Sequence, residues 1–423
     1  VTQNIDAYKS EEADSGFVAP DTNEVAAGRK AAHEGAVQLV GPWYRVADGF
    51  NEHVRRIAVA LSRAGEHVHL QATNIAFLGD APDEGVSDEV QKLALTDASS
   101  FRVSIQMTVY DQDRIRAALH VPENVGYAPA VVRHLRKQRV IYTVFERDDL
   151  PPGDGYLLRQ AGQVWVACKD NAAAVVRAGV PEHQVKVIPC PYLPDDPLLA
   201  LRGRKRKPGP PRFYHIGKWE PRKAQDNIVR AFLMAFKPGE AQLYLRCNPM
   251  NVAVDGYPLG PIAAIQRALD EAPIKANGWS GERPADLNAA IKVIDRPLPL
   301  PKLIELHSIG DVYVSLSRAE GFDMPAFDAK LAGNRLIYTE TAARDFAAAP
   351  DHLVPRTGTV DAHPMYNWYG ATYGDYDVAQ AADAMRLAAA DLFADYVPYE
   401  RDLSDWSAPA VGQKMHRALK EIV

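Results

Sequence analysis

The chain holds few cysteines: Cys168, Cys190 and Cys247 in 423 residues, odd in number, far apart and without a CxxC spacing. That excludes a disulfide framework and reads as reduced thiols in a cytoplasmic setting. No apolar run approaches the ~18 residues that span a bilayer. The first residues, VTQNIDAYKSEEADSG, carry acids without an apolar core, so no secretory signal is expected in them. Neither sign of charge dominates, and a net charge of -6 with a pI near 6.1 leaves no basic footprint for nucleic acid. HExxH, HxxxH and paired Cys/His spacings are missing too, and with them the usual grounds for a metal site. Isolated histidines such as His53, His67 and His69 read as helix-surface or strand residues, not ligands.

What is present is a globular composition, 47% hydrophobic and 24% charged, in a length that suits two domains with a cleft between them. Residues 1–35 are polar and read as an extension over the surface. Order begins at AVQLVG, an apolar strand. In NEHVRRIAVALSRAG the residues Val54, Ile57, Ala58 and Leu61 recur at helical spacing, with Asn51 as cap and Gly65 as stop. EHVHLQAT returns to a strand, which makes a parallel βαβ unit. The alternation continues through RVIYTVFE, QVWVACKD, NAAAVVRAG and QVKVIPCP. A Rossmann-like domain over 36–195 follows. Residues 196–211 combine prolines with Arg202, Arg204, Lys205, Arg206 and Lys207, which is linker chemistry. This basic run suits a solvated hinge first, and a weak peripheral contact with acidic lipid or a phosphorylated partner second. RFYHIG, AQLYLRC, IKVID, DVYVSLS and NRLIYT then rebuild the same α/β pattern over 212–400. The last segment, 401–423, is helical and suited to cross back onto the first domain.

Two stretches of the second domain carry chemistry. In SRAEGFDMPAFDAKLAG the strand DVYVSLS gives way to a loop, and Pro325 opens a helix that runs to Gly333. The loop thus lies at a strand's carboxyl end, where open α/β sheets bind ligands, and the helix start favours an anion. Glu320 precedes the turn and Asp328 stands one turn into the helix. In PRFYHIGKWEPRK a strand ends at Gly217, and Lys218, Arg222 and Lys223 follow before the next helix. A glycine there lets a phosphate approach the backbone while cations neutralise it. Together the two loops describe a diphosphate with cations on one side and a helix start on the other.

With these, ADGFNEHVRRIAVALSRAGEHV and VWVACKDNAAAVVRAGVPEHQVKVIPCP stand in an order that resembles the retaining glycosyltransferases of family 4, which have the GT-B fold of two Rossmann-like domains facing across a cleft. The resemblance covers most of the chain. It implies transfer of a sugar from a nucleotide diphosphate sugar to a hydroxyl acceptor (a glycan, a lipid-linked glycan or a small molecule) with retention of configuration. No cofactor or metal is implied. Glu320 is then the acid on the donor sugar and Asp328 the ribose holder, with Gly321, Phe322, Asp323 and Met324 lining the donor between them. Lys218 and Lys223 map onto the basic pair at the diphosphate, beside Gly217. Gly49, after the first strand, faces the donor phosphate, and Glu146 in YTVFERDD stands on the acceptor side near the reacting carbon. Lys218 replaces the commoner Arg, Ala224 and Asp323 stand where glycine is usual, and Asp328 is one methylene shorter than Glu. Two alternatives stay open. One is a nucleotide-sugar-binding or scaffold protein on the same fold; the other is a metal-dependent GT-A transferase using Asp111 and Asp113 as a DxD pair.

Overall fold

The computed structural model describes residues 35–43, 49–73, 86–95, 101–109, 112–120, 136–150, 153–248, 257–362, 371–393 and 402–422. Of the expected extension at 1–35 only Gly35 falls among them, and Asp111 lies outside them. The side chain of Asp113 is likewise outside what is described.

Six parallel strands form the first sheet: β1 (Ala36–Gly41), β2 (Val68–Ala72), β3 (Phe101–Val109), β4 (Arg139–Val144), β5 (Gln163–Val166) and β6 (Val185–Val187), in the order β2-β1-β3-β4-β5-β6. The second sheet repeats the plan with β7 (Arg212–Lys218), β8 (Gln242–Asn248), β9 (Ile291–Ile294), β10 (Val312–Val314), β11 (Arg335–Thr339) and β12 (His352–Val354), in the order β12-β11-β10-β7-β8-β9 and again all parallel. In each sheet the strand order reverses beside the first strand, which places a ligand crevice at the carboxyl ends there. A hairpin of β13 (Arg356–Asp361) and β14 (Thr372–Tyr376) stands apart as an antiparallel pair. Its strands are short and polar, and the sequence gives no alternation by which to read them.

Six helices matter for the site: α1 (Gly49–Arg63), α2 (Gln225–Ala235), α3 (Leu300–Ile309), α4 (Met324–Leu331), α5 (Val378–Phe393) and α6 (Ala408–Lys420). The four apolar positions of α1 are fully buried, as their spacing requires, and Gly65 takes the left-handed φ of +92° that ends the helix. The helix begins two residues before the expected cap, so that Asn51 lies inside it, buried. In the second domain Phe213, Leu243, Leu245 and Cys247 face α2 and α5, whereas Tyr214, Ile216 and Tyr313 belong to an apolar cluster on the opposite face. That cluster is shared between the domains: it also contains Val54 and Ile57 of α1, Phe327 of α4 and Val411 and Met415 of α6. All three cysteines are buried and free. No helix among the described residues is long and apolar enough to cross a membrane.

The chain crosses back where Tyr192 N donates to Trp406 O at 2.9 Å and Ala408 N donates to Tyr192 O at 2.9 Å. From there α6 lies along α1, and Gly412 makes the approach close: a Cβ at that position would sit 2.4 Å from the Ala60 carbonyl oxygen. Gly412→Val is therefore expected to destabilise the protein by about 1 to 3 kcal/mol in urea unfolding, the range for forcing extra atoms into a packed contact. An unchanged midpoint would show that α6 does not dock there.

Candidate active site

The site begins with two backbone turns. After β7, Pro221, Arg222 and Lys223 form a single helical turn that ends on Ala224 at φ +48°. After β10, the loop reaches α4 through Asp323 at φ +62°. Among the described residues these are the two non-glycine positions with positive φ, a conformation that disfavours L side chains. The two turns are tied together: Arg318 N donates to Arg222 O at 2.8 Å, and Arg318 Nη1 donates to Pro221 O at 2.8 Å. Asp323 is fixed in turn by the Ser315 hydroxyl, which donates to its carboxylate at 2.5 Å.

This arrangement brings Glu320 against two cations. Lys223 Nζ donates to Glu320 Oε1, and Arg222 Nη1 lies 3.0 Å from the same oxygen while also donating to the Ala319 carbonyl at 2.7 Å. All three side chains are nearly inaccessible. Burial by itself would raise the Glu320 pKa, but Lys223 and Arg222 outweigh it and hold the carboxyl down at about 2. Burial pulls Lys223 down, yet Glu320 overcomes it and the net shift is upward. Glu320 is therefore a fixed carboxylate, able only to accept hydrogen bonds.

The first domain closes on this pair. Arg222 Nη2 reaches Glu146, which follows β4, at 2.9 Å. Burial raises the Glu146 pKa; Arg222 opposes that, Glu320 and Glu220 add to it, and the result is a carboxyl above its ordinary range. Beside them stands Gly321, where a Cβ would come within 2.7 Å of Val144 Cβ, so the two domains meet at a point that only glycine permits. The Tyr373 hydroxyl of β14 is buried without a hydrogen-bond partner among the described residues and feels the charges of Arg222 and Glu146. Tyr373 is not marked out by the sequence; Arg222 is one of the three cations read in the GKWEPRK loop, but the resemblance places the basic pair on Lys218 and Lys223.

The remaining expected residues are spread around this centre. Gly217, next to last in β7, is half-buried, with a Cβ position 2.8 Å from His215 Nε2, and Lys218 ends the strand exposed. Phe322 and Met324 are buried in the shared apolar cluster, Phe322 against Phe327 and Phe346, and Met324 Sδ at 3.8 Å from Cys190 Sγ. Gly49 is exposed at the start of α1. His53 is not on the helix surface: it is buried, with Nε2 2.7 Å from the Tyr142 hydroxyl, and desolvation lowers its pKa to about 3. Asp328 faces the first domain. Arg56 of α1 stands among three carboxylates, Glu52 at 2.7 Å, Asp328 at 3.3 Å and Asp196 at 3.5 Å.

No family model matches the chain, and no curated protein matches it in sequence. In architecture it is similar to a glycosyltransferase from Rickettsia africae (TM-score 0.57, 12% identity, covering 92% of this chain and 98% of that one). It is also similar to the apo form of the lipopolysaccharide outer core galactosyltransferase WaaB (TM-score 0.56, 11% identity, 92% and 100% covered). A third is Anabaena HepE in complex with UDP and glucose (TM-score 0.50, 12% identity, 91% and 99% covered). The fold is GT-B: two Rossmann-like domains joined across a cleft.

The crowding at Arg56 generates a pH dependence. Burial raises the Asp328 pKa, Arg56 opposes it, Asp196 and Glu52 add to it, and the carboxyl is pushed up to about 7 from the ordinary 3.8. Because the folded value exceeds the unfolded one, folding takes up a proton between those two pH values, and this group's contribution to stability falls as pH rises from 4 to 7. Asp328→Asn is expected to flatten stability across that window and to raise the melting temperature at pH 8 by a few degrees. A lower melting temperature at pH 8 would show that pairing with Arg56 outweighs burial.

Proposed function

We propose that this protein is a glycosyltransferase that moves a sugar from a nucleoside diphosphate sugar to a hydroxyl of its acceptor, retaining the anomeric configuration and using no metal. The observation that carries this reading is the cluster of buried Arg222, Glu320 and Lys223 with half-buried Glu146 at the carboxyl ends of the strands, where the domains meet. Two buried cations held in place by carboxylates are a preformed anion site whose present occupants a ligand can replace. A diphosphate carries the charge to do so. The resemblance of the SRAEGFDMP and GKWEPRK stretches to family 4, together with the GT-B fold, selects a nucleotide sugar as that ligand. HepE, which has this fold, is solved with UDP and glucose.

In this reading Lys223 and Arg222 take the diphosphate, with Lys218 at the rim, Gly217 giving the backbone room and Gly49 facing the phosphates from the first domain. The loop Gly321, Phe322, Asp323 and Met324 leads into α4, whose start adds about half a positive charge to the site. Glu320, released from its cations, accepts hydrogen bonds from the sugar's hydroxyls. Asp328 serves the ribose once Arg56 lets it go. As the bond from the anomeric carbon to the diphosphate oxygen breaks, the acceptor oxygen bonds to that carbon and its proton passes to Glu146. Glu146 contacts Arg222, so it stands on the side of the leaving group, which is the side that retention requires. Catalysis is then positioning together with stabilisation of the charge that develops on the departing diphosphate.

Glu320→Gln separates this reading from that of a binding protein on the same fold. Freed of its carboxylate, Lys223 is expected to hold a nucleoside diphosphate at least as tightly as in the wild type, while sugar transfer falls about 10²-fold or more, the scale of a lost polar group at a reacting centre. Unchanged transfer would remove Glu320 from the chemistry. Metal independence has its own measurement: transfer after exhaustive EDTA treatment is expected to stay near its untreated rate, because fixed cations replace the ion that a DxD motif would hold. Loss of transfer that Mn²⁺ restores would instead favour Asp111 and Asp113.

A further inference from the structure

Arg246 of the second domain is buried without a counter-ion among the described residues. Arg246 stands near the carboxyl end of β8, opposite Ile216 of β7 and Ile294 of β9. It is only 6% exposed, and among the described residues its buried Nε has no hydrogen-bond partner and no carboxylate pairs with it. Two residues on, the Asn248 side-chain oxygen is also buried without a partner among the described residues. Burying a guanidinium without an acceptor is expensive, and every other buried arginine near the site, Arg56 and Arg222 included, is surrounded by carboxylates or carbonyls.

Its position says what is missing. Side chains alternate along a strand, so Tyr244, Arg246 and Asn248 share one face, with Leu243, Leu245 and Cys247 on the face that meets α2. The Arg246 face is that of Ile216 and Tyr313, whose hydroxyl donates to Ile216 O at 3.1 Å. At the carboxyl edge of the sheet the order is then Glu320 after β10, Lys218 and Lys223 after β7, and Arg246 with Asn248 on β8. Neighbouring strands lie ~4.8 Å apart, so Arg246 is about 10 Å along the crevice from the β10 end. On the reading proposed above, the sugar lies at Glu320 and the diphosphate at the β7 turn. With the ribose given to Asp328, what is left to reach β8 is the base.

We propose that Arg246, with Asn248 beside it, binds the base of the donor nucleotide and selects bases that carry an oxo group where adenine and cytosine carry an amino group. A guanidinium offers only donors and needs acceptors. Guanine presents O6 with N7, and uracil presents O4; adenine and cytosine place an amino donor at the corresponding positions and leave the arginine facing hydrogens. The inference depends on the donor reading of the cleft, and the experiment below keeps the two apart.

Binding of GDP, ADP, UDP, CDP and inorganic pyrophosphate is measured by calorimetry with the full chain. GDP is expected to bind about tenfold or more tighter than ADP, or UDP than CDP, the discrimination of one well-placed arginine fork. In Arg246→Met the preference is expected to fall to about threefold or less with pyrophosphate affinity unchanged, and Arg246→Lys, which keeps the charge without the fork, is expected to lose most of the preference too. Wild-type protein that binds oxo and amino partners alike overturns the base assignment while leaving the donor site standing. So does Arg246→Met if it keeps the preference, or if it weakens pyrophosphate as much as the nucleotides. Failure of all five ligands to bind the wild type removes the donor reading itself.

Discussion

A carboxylate buried where two domains meet has to be neutralised, and the neutralisation of Glu320 sets the geometry of everything around it. Lys223 and Arg222 can reach it only from a tight turn, and that turn closes through Ala224 in a conformation L residues disfavour. Asp323 shows the same conformation at the start of α4. Each such residue costs on the order of 1 to 3 kcal/mol and persists where the surroundings over-determine it. Here the surroundings are the Arg318 bonds to the turn and the Ser315 bond to Asp323. Arg222 then carries the constraint across the cleft, because its second nitrogen is taken by Glu146. Gly321 allows the contact and Val144 defines it. Strain, ion pairs and domain closure are one connected arrangement.

The cleft is closed at a second point by the Arg56 cluster, and there the balance differs. Glu320 has two cations to itself, whereas Arg56 is shared among Glu52, Asp196 and Asp328. The first arrangement holds its carboxylate charged at any physiological pH; the second leaves Asp328 titrating near pH 7. The contact that joins α1 to α4 is accordingly the weaker of the two. It is the one that titrates in the range where proteins work, and a ligand that needs the Asp328 carboxylate competes with a single monodentate contact.

Most of the architecture was legible in the sequence. The helical spacing of Val54, Ile57, Ala58 and Leu61, the apolar strands between glycines and the repetition of the same alternation after the Pro-rich linker lead to two parallel sheets, because local periodicity and crossover handedness leave few other arrangements. The hairpin of β13 and β14 was not legible, since RTGTVD and TYGDY show no alternation and their pairing is fixed by a partner fifteen or so residues away. In the site, Glu320 and Lys223 announce themselves by standing at strand ends beside turn residues. The role of Arg222 against that of Lys218 does not, because both are cations of one loop and burial decides between them. The contact of Arg56 with Asp328 joins residues 272 positions apart, which no local pattern reports. Arg246 had a signal, a charge inside the apolar run LYLRC, whose meaning depends on the absence of a partner in three dimensions.

The most direct test of the account is a crystal structure of the protein with an unreacted nucleoside diphosphate sugar. The account predicts the diphosphate on Lys223 and Arg222 at the carboxyl ends of β7 and β10, the sugar's hydroxyls on Glu320, and Glu146 on the side of the leaving group. A donor bound elsewhere, with the pairs Lys223 to Glu320 and Arg222 to Glu146 left intact, would contradict it.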